Sequence, residues 1–365
     1  MPFCQVIVDI NHTDVDHVFT YRVPAGLDVC PGMRVHVPFG PRKLEGVVVE
    51  MAADCDLPPE RVKDICDTLE DYPAVLPPLL ELAKEIQRTS FCTLAVALRL
   101  MFPAQMRGQR IREKQQEVAV LTVAPDVLGQ VIAAQVRAPK RAKVLRALAD
   151  APDMELTTAA LRETVGDCRD ALNALCKMGF VKLEKRESLR RPYGEMERLS
   201  AQDPELTRQQ EDVLAELLPA VETGKGEFLL YGVTGSGKTE VFIRAVRRAA
   251  QMGKTAIVLV PEIALTPQMV SWFRSRFGED AAVLHSRLSP GERYDEWRRI
   301  RRGDVRVVIG ARSAIFAPLQ NVGLIIIDEE HEQSYIADNN PHYDARRLAH
   351  ERCAREGAAL LLASA

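Results

Sequence analysis

A phosphate-binding loop is the clearest chemical signal in this sequence. Residues 232–239 read GVTGSGKT, which fits the pattern G-x-x-x-x-G-K-[ST], and they stand between a strand-like run and a helical pattern. Such a loop turns its backbone N–H groups toward phosphate oxygens at the N-terminus of a helix. Lys238 is expected to reach the β- and γ-phosphates of ATP, and the Thr239 hydroxyl is expected to hold Mg²⁺. The residues assigned to nucleotide binding here are Gly232, Thr234, Gly235, Ser236, Gly237, Lys238 and Thr239.

An acidic tetrapeptide farther along the chain supplies the groups that hydrolysis needs. The run LIIIDEEH ends an apolar strand pattern with Asp328, Glu329, Glu330 and His331. Asp328 is placed to hold the Mg²⁺, and Glu329 can act as the general base that polarises a water for attack on the γ-phosphate. A glycine-rich turn and a solvated acidic turn are the alternatives. Finding both patterns in one chain favours an ATP site.

The elements that must position these groups alternate between strand and helix patterns. From about residue 206 onward, near-continuous apolar runs such as TAIVLVP and LIIID are separated by amphipathic helical patterns. Apolar strands of this kind predict a parallel sheet covered by helices on both faces. We therefore predict an α/β P-loop lobe over residues 199–365.

Two further domains are predicted in front of this lobe. Residues 1–105 contain short strand patterns broken by Pro and Gly, then a helical stretch around 79–99, which predicts a small β-rich domain. Residues 106–198 contain three short helical patterns followed by the run FVKLEKRE, a predicted strand pair. This order is typical of a winged helix (α+β), although many small helical domains share it. Residues 190–204 are predicted to be a linker.

The composition describes an ordinary soluble globular protein. Of 365 residues, 47% are hydrophobic and 27% are charged, and the formal net charge is −3. No apolar run approaches the roughly 18 residues that a membrane-spanning helix needs, and the N-terminus lacks the features of a secretory signal. The eight cysteines stand singly, without a CxxC pair. We therefore expect no zinc site and no disulfides in this chain, no membrane partner, and a reduced, cytoplasmic setting.

The tetrapeptide DEEH resembles the DExH box of superfamily 2 helicases, and neighbouring segments resemble one family, the PriA replication-restart helicases. These segments are LTRQQ over 206–210, VPEIALTPQ over 260–268 and IGARSA over 309–314. The resemblance implies a RecA-like lobe in which Gln210 reads the adenine edge and His331 helps to couple hydrolysis to DNA. It also implies a DNA contact for Arg312, although family members commonly carry Thr where this chain has Ala311.

The resemblance extends to an aromatic-rich loop. Ser334, Tyr335 and the run PHYDAR over 341–346 fall where the family has a loop that senses DNA. This implies DNA contacts for Tyr335, Tyr343 and Arg346. Half-buried packing is the alternative for the two tyrosines.

The front domain resembles the family's pocket for the 3′ end of DNA. The matching segments are FTY over 19–21, VPFG over 37–40, and Lys63. Aromatic side chains beside a cation suit base stacking and phosphate contact. Thr20 stands where some relatives carry Asp. The implied pocket residues are Phe19, Tyr21, Gly40 and Lys63.

The resemblance implies an ATP-dependent 3′→5′ DNA helicase of replication restart, with ATP and Mg²⁺ as cofactors. Its partners would be forked DNA with a free 3′ end, single-stranded DNA, primosome proteins and single-strand-binding protein. It would be a monomer in the bacterial cytoplasm, associated with the nucleoid. Two other functions stay open: a non-enzymatic DNA- and nucleotide-binding module, and a small-molecule P-loop kinase, which would have no use for DEEH.

The last residues, LASA over 362–365, match the opening of the family's S-A-T motif. By resemblance, a second RecA-like lobe with its arginines, and a zinc-binding cysteine cluster, would lie beyond this point. We therefore expect residues 1–365 alone to bind DNA and ATP without unwinding.

Overall fold

The computed structural model describes residues 2–55, 57–58, 60–109, 114–190, 203–233 and 235–365, with only the backbone of Gln109. They form two units, one made of 1–111 with 191–365 and the other of 112–190. Most of the predicted linker over 190–204 lies outside the described residues, and so does Thr234. Within the described ranges, no helix has the length and apolar character needed to cross a membrane.

The front of the first unit is a small antiparallel barrel. Its strands are Phe3–Val8 (β1), Phe19–Arg22 (β2), Arg34–Phe39 (β3), Arg42–Ala52 (β4) and Asp67–Thr68 (β5). They hydrogen-bond in the order β2-β1-β4-β3-β5. The chain between 63 and 66 closes the sheet, because Arg22 N donates to Lys63 O at 2.9 Å and Cys66 N donates to His36 O at 2.9 Å. Alternate strand residues point inward and fill the barrel with valine and tyrosine side chains.

Two helices follow the barrel where the sequence predicts one helical stretch. They are Pro77–Ser90 (α1) and Leu94–Leu98 (α2). α1 ends because Phe91 adopts a left-handed conformation with φ of +49°, and α2 begins where the Thr93 hydroxyl accepts a hydrogen bond from Val96 N. The apolar stripe of α1 includes Leu79, Leu82 and Ile86, each 0% exposed. Such a stripe buries one helix face against a partner.

The rest of the first unit is a parallel sheet with helices on both faces, which confirms the predicted α/β lobe with a parallel sheet. Its strands are Glu227–Tyr231 (β9), Thr255–Leu259 (β10), Ala281–Leu284 (β11), Val307–Gly310 (β12), Val322–Ile327 (β13) and Ala359–Ser364 (β14). Its helices are Arg208–Thr223 (α7), Lys238–Gln251 (α8), Pro267–Phe277 (α9), Pro290–Arg302 (α10) and Ala345–Glu356 (α11). The strand order is β11-β12-β10-β13-β14-β9. Every residue of β10 and β13 is buried, as expected of central parallel strands.

The front helices and the parallel-sheet lobe share one hydrophobic core. Leu79 and Ile86 of α1 belong to the same buried cluster as Ile325 of β13. Polar contacts reinforce this junction, because Trp297 Nε1 donates to Met101 O at 3.4 Å and Arg301 Nε donates to Pro73 O at 2.8 Å. The first unit is therefore continuous from the barrel to the sheet.

The second unit combines helices with a small antiparallel sheet. Its elements are Gln115–Leu121 (β6), Pro125–Ala134 (α3), Pro139–Ala149 (α4), Glu155–Thr157 (β7), Thr158–Val165 (α5), Arg169–Lys177 (α6) and Val181–Glu187 (β8). The strand order is β7-β6-β8. The predicted strand pair within FVKLEKRE is wrong, because this run forms the single strand β8, which pairs antiparallel with β6 ahead of the helices.

Candidate functional site

Three neighbouring strands end at one edge of the parallel sheet and carry the predicted chemical groups. Asp328 follows β13, Ser364 ends β14, and the phosphate-binding loop follows β9. Ligands bind at the carboxyl ends of strands in open α/β sheets. Gly235 and Ser236 are exposed on the loop, and Thr239 is half-buried in the first turn of α8.

Lys238 turns inward over the loop that it follows. Its Nζ donates to Gly232 O at 2.6 Å and to Ser364 O at 3.3 Å, and it lies 3.6 Å from Glu329 Oε1. The side chain is only 9% exposed. Lys238 also begins α8, where the first backbone N–H groups of the helix have no intrahelical partner. The ammonium group and these N–H groups therefore lie together at a place suited to phosphate oxygens.

The loop packs closely against the start of α7. Gly237 has a φ of +84°, and a Cβ added there would lie 2.4 Å from Gln210 Nε2. Gln210 Nε2 donates to Gly237 O at 3.2 Å, while its Oε1 accepts from Thr207 N at 2.9 Å in a capping box. Gln210 thus ties α7 to the loop, and its contact with adenine stays a prediction.

The two acidic residues differ in backbone geometry and environment. Asp328 Oδ1 accepts a hydrogen bond from Glu329 N at 3.0 Å. Burial raises the pKa of Asp328, and the neighbouring Glu329 carboxylate raises it further, while Lys238 opposes the shift. Glu329 itself has a φ of +44°. A left-handed conformation costs a non-glycine residue roughly 1–2 kcal/mol, and such strain is concentrated at functional sites.

His331 is linked to the end of β14 by Ser364, a residue of the S-A-T match for which the sequence predicts no role at the ATP site. His331 Nδ1 lies 3.0 Å from Ser364 Oγ and 3.8 Å from Glu329 Oε2. The carbonyl of the same serine accepts from Lys238 and, at 3.1 Å, from Gly232 N. Ser364 therefore contacts both the lysine and the histidine. The signals in the sequence are its place at the end of an apolar strand and its match to the S-A-T motif.

The chemistry of these groups fits Mg·ATP. Lys238 donates hydrogen bonds to two carbonyls, and its charged partner, the Glu329 carboxylate, lies 3.6 Å away, so the ammonium group can still interact with phosphate. Asp328 is a partly buried carboxylate whose negative charge a divalent cation would stabilise. The hydroxyl of Thr239 is the second group available for Mg²⁺.

Tyr335, predicted to contact DNA, lies in the core beneath the acidic residues. It is 0% exposed, and burial raises its pKa. Its hydroxyl donates to Asp328 O at 2.5 Å and lies 3.2 Å from Leu259 O. With no exposed surface, the side chain supports the ends of β10 and β13 in this conformation and cannot touch DNA directly.

The other three residues of this lobe that are predicted to contact DNA lie in or beside the loop between β13 and α11. Arg346 Nη1 donates to Glu330 O at 2.9 Å, and its Nε and Nη2 pair with the Asp344 carboxylate. Arg312 donates to the carbonyls of Ser334 and Ile336. Tyr343 is half-buried, and a hydrogen bond with Arg312 opposes the rise in the Tyr343 pKa that burial causes.

The predicted 3′-end residues lie on one part of the barrel. Phe19 is half-buried, and its ring meets that of Phe39 edge-on at 5.2 Å between centroids. Tyr21 is 4% exposed, donates to Pro38 O at 3.3 Å, and has its pKa raised to about 12 by burial. Lys63 is exposed beside β2, and Gly40 is exposed at the turn after β3 with a φ of +57°. Phe19 and Lys63 are thus accessible, whereas Tyr21 belongs to the barrel core.

Comparison with known proteins gives two matching family models. The PriA 3′DNA-binding domain (3′BD) matches residues 5–103, and the DEAD/DEAH box helicase matches residues 207–365. The replication restart protein PriA of Bacillus subtilis is 32% identical, covering 100% of this chain and 53% of that protein. PriA of Synechocystis sp. is 34% identical, covering 100% of this chain and 52% of that protein. Among solved structures, RecG bound to a three-way DNA junction shares 26% identity and a TM-score of 0.34, over 44% of this chain and 21% of that one.

Residues 207–365 are therefore a DEAD/DEAH box helicase domain. The chain as a whole belongs to the PriA family of replication restart proteins. It spans about half the length of the curated relatives it matches.

Proposed function

We propose that this chain is the nucleotide-binding and DNA-binding part of an ATP-driven 3′→5′ DNA helicase that acts in replication restart. The observation that carries the proposal is the meeting of Lys238, Asp328, Glu329 and Ser364 at the ends of three adjacent strands. Relatives that cover the whole chain are named as replication restart proteins, which supports the biological setting.

Each group at the ATP site has a proposed role. Lys238 holds the β- and γ-phosphates, Thr239 and Asp328 hold Mg²⁺, and Glu329 accepts the proton of the attacking water. Bound Mg²⁺ supplies charge neutralisation on the phosphates. His331, between Glu329 and Ser364, is proposed to couple the site to DNA.

DNA contacts are proposed on three parts of the chain. The barrel holds a free 3′ end through Phe19, Lys63 and Gly40, over the buried Tyr21. Arg312, Tyr343 and Arg346 contact single-stranded DNA. The unit 112–190 is proposed to be a winged helix that binds the fork, since helices α4, α5 and α6 lie beside a three-stranded antiparallel sheet. Primosome proteins and single-strand-binding protein are the proposed partners of the monomer.

Replacing Lys238 with Ala should weaken Mg·ATP binding by roughly 10- to 150-fold, because a hydrogen bond to a charged group is worth about 1.5–3 kcal/mol. Calorimetric titration of residues 1–365 with Mg·ATP measures the change. Circular dichroism should show that the variant keeps its helices.

Lys225→Ala is the matched control for this experiment. Lys225 is an exposed lysine in the turn before β9, on the same lobe. The Lys225→Ala variant should bind Mg·ATP with the same affinity as the parent chain. If the parent chain and Lys238→Ala bind Mg·ATP with equal affinity, Lys238 does not contact the phosphates.

The barrel should prefer a fork with a free 3′-hydroxyl over the same fork blocked by a 3′-phosphate. Residues 1–105 carry more acidic than basic side chains, so stacking and shape must supply this selectivity instead of bulk charge. Phe19→Ala and Lys63→Ala should each reduce the preference. Fluorescence anisotropy with the two forks measures it.

Lys84→Ala serves as the control for Lys63→Ala, because Lys84 is an exposed lysine on α1 that pairs with Glu81. It should keep the preference for the free end. If the parent chain binds blocked and free forks equally well, the barrel has no 3′-end pocket.

A further inference from the structure

The second unit contains a stretch of basic residues without any acidic one. Between Asp126 and Asp150 the sequence has no Asp or Glu, yet it has five basic residues. They are Arg137, Lys140, Arg141, Lys143 and Arg146. The first lies in the turn before α4, and the other four lie on α4. None of the roles proposed for the ATP site or the barrel uses this stretch.

The packing of α4 determines which of these charges face solvent. Val144 and Leu148 are each 0% exposed and belong to the core of the second unit. Lys140, Lys143 and Arg146 recur every three residues and are exposed. At 1.5 Å of rise per residue, they extend over about 9 Å of the helix. We call these three residues the basic face of α4.

No carboxylate neutralises the basic face by contact. Basic residues of β8 in the same unit are paired, because Lys182 Nζ lies 3.1 Å from Glu184 Oε1 and Arg186 pairs with both Glu184 and Glu155. Among the residues that the structure describes, none forms an ion pair with a member of the basic face. The face therefore presents three positive charges that are available to a polyanion.

The charges around α6, by contrast, are mixed in sign. In a helix-turn-helix the second helix enters the DNA groove, and in this unit α6 follows α5 in that place. The exposed charged residues of α6 are Arg169, Asp170 and Lys177, and Asp167 is exposed just before the helix. The formal charges of these four residues sum to zero. The attraction of a polyanion to this unit is therefore stronger at α4 than at α6.

The chemistry of the basic face fits the phosphate backbone of duplex DNA. Duplex DNA carries one negative charge per about 1.7 Å of its axis, so cations spread over about 9 Å meet several phosphates. Single strands are bound largely by stacking on aromatic side chains, and the half-buried Phe180 is the one aromatic residue in the sequence 112–190. The regions on either side of this unit in the sequence match a DNA-binding domain and a helicase domain, which favours DNA over an acidic protein.

We propose that the basic face of α4 binds the phosphate backbone of double-stranded DNA without regard to base sequence. The inference rests on the proposed function, in which the unit 112–190 binds the fork. It names the part of the fork that is bound, a duplex arm, and it assigns the contact to α4 instead of α6.

The test uses residues 1–365 and a blunt duplex whose 3′ ends both carry phosphate, so that the barrel has no free 3′ end to bind. The variant combines Lys140→Ala, Lys143→Ala and Arg146→Ala. Fluorescence anisotropy at a series of salt concentrations measures the affinity. Each phosphate contact contributes about 0.9 to the slope of log affinity against log salt concentration, so the slope should become less steep by roughly 3. Two duplexes of unrelated sequence should lose affinity equally, because phosphates carry no sequence information.

The matched control combines Arg169→Ala, Lys177→Ala and Lys185→Ala, which remove three exposed basic side chains from α6 and β8. This control should keep the salt slope of the parent chain. Circular dichroism should be the same for all three proteins, because every replaced side chain is exposed and alanine favours helices.

Three results would overturn the inference. If the parent chain binds the duplex and the α4 variant keeps its salt slope, the contact lies elsewhere. If both variants lose slope equally, total charge sets the affinity and α4 has no special part. If a poly-glutamate peptide displaces the duplex at an equal concentration of negative charge, α4 is a docking site for an acidic protein.

A fork with a free 3′ end, measured in parallel, separates this inference from the proposed function. If the parent chain binds that fork but not the blocked duplex, the inference about α4 fails and the proposed function stands. If it binds neither substrate, both fail.

Discussion

Replacing Glu329 with Gln is expected to abolish nearly all ATP turnover while leaving ATP and DNA binding in place. An amide has almost the same shape as a carboxylate but cannot accept the proton of the attacking water. General-base catalysis contributes about 10²–10⁴-fold, so turnover should fall by that factor. The neighbouring contacts of Glu329, at 3.6 Å to Lys238 and 3.8 Å to His331, are too long for hydrogen bonds on which the fold could depend. Turnover is measured in a polypeptide that joins this chain to a second helicase lobe.

Glu332→Gln is the matched control, because it makes the same chemical change three residues farther along. It should hydrolyse ATP at the parent rate. A Glu329→Gln variant that also hydrolyses ATP at the parent rate would show that another group is the base. Mg·ATP titration of both variants separates a loss of chemistry from a loss of binding.

A polypeptide of residues 1–365 alone should bind forked DNA and, weakly, Mg·ATP, yet separate no strands. The groups described at the ATP site all lie at one edge of one sheet, so the opposite side of the nucleotide would be open to water. In helicases with two RecA-like lobes, the second lobe supplies arginines to the γ-phosphate, and such an arginine is worth about 10³–10⁵ in rate. Translocation additionally needs two lobes that open and close along the strand.

Strand displacement on a labelled fork, with anisotropy on the same fork, tests this prediction. Fork binding without displaced product is the expected result. Robust displacement by residues 1–365 would show that one lobe suffices and that the site needs no further groups. A matched polypeptide with both lobes should displace the strand under the same conditions.

The sheet of the lobe could be predicted because its signal is local. β10 and β13 are continuous apolar runs, and both prove to be buried along their whole length. The loop before α8 could be placed for the same reason, since glycines and Lys238 follow one strand and precede one helix. Pairing between distant segments leaves no such local mark. The prediction of a strand pair in place of the single strand β8 was therefore wrong, because the partner strand β6 lies four helices earlier in the chain.

The finer geometry of the site could not be read from residue types. The left-handed φ of Glu329 depends on how β13 meets its neighbours, and Glu has no local preference for that conformation. The place of Ser364 between Lys238 and His331 follows only from the adjacency of β14 and β9. The position of Tyr335 in the sequence matches an aromatic-rich loop. In the structure its hydroxyl hydrogen-bonds to backbone carbonyls at the ends of β10 and β13, and these partners allow the side chain to be buried.

The organisation of the first unit also depends on distant packing. The sequence separates 1–105 from 199–365 by composition and pattern, and that boundary remains a prediction. In the structure, the apolar face of α1 packs into the same core as β13. An amphipathic sequence pattern indicates that one face of a helix is buried, but it does not indicate which element packs against that face.

The central claim is that this chain supplies the ATP site of a DNA-dependent motor, and ATP turnover with and without forked DNA tests it most directly. The measurement uses residues 1–365 and the same residues joined to a second helicase lobe. Near-background turnover is expected for the shorter polypeptide, and turnover that forked DNA strongly stimulates is expected for the longer one. If forked DNA leaves the turnover of the longer polypeptide unchanged, or if a small-molecule phosphate acceptor stimulates it instead, the chain does not supply the ATP site of a DNA-dependent motor.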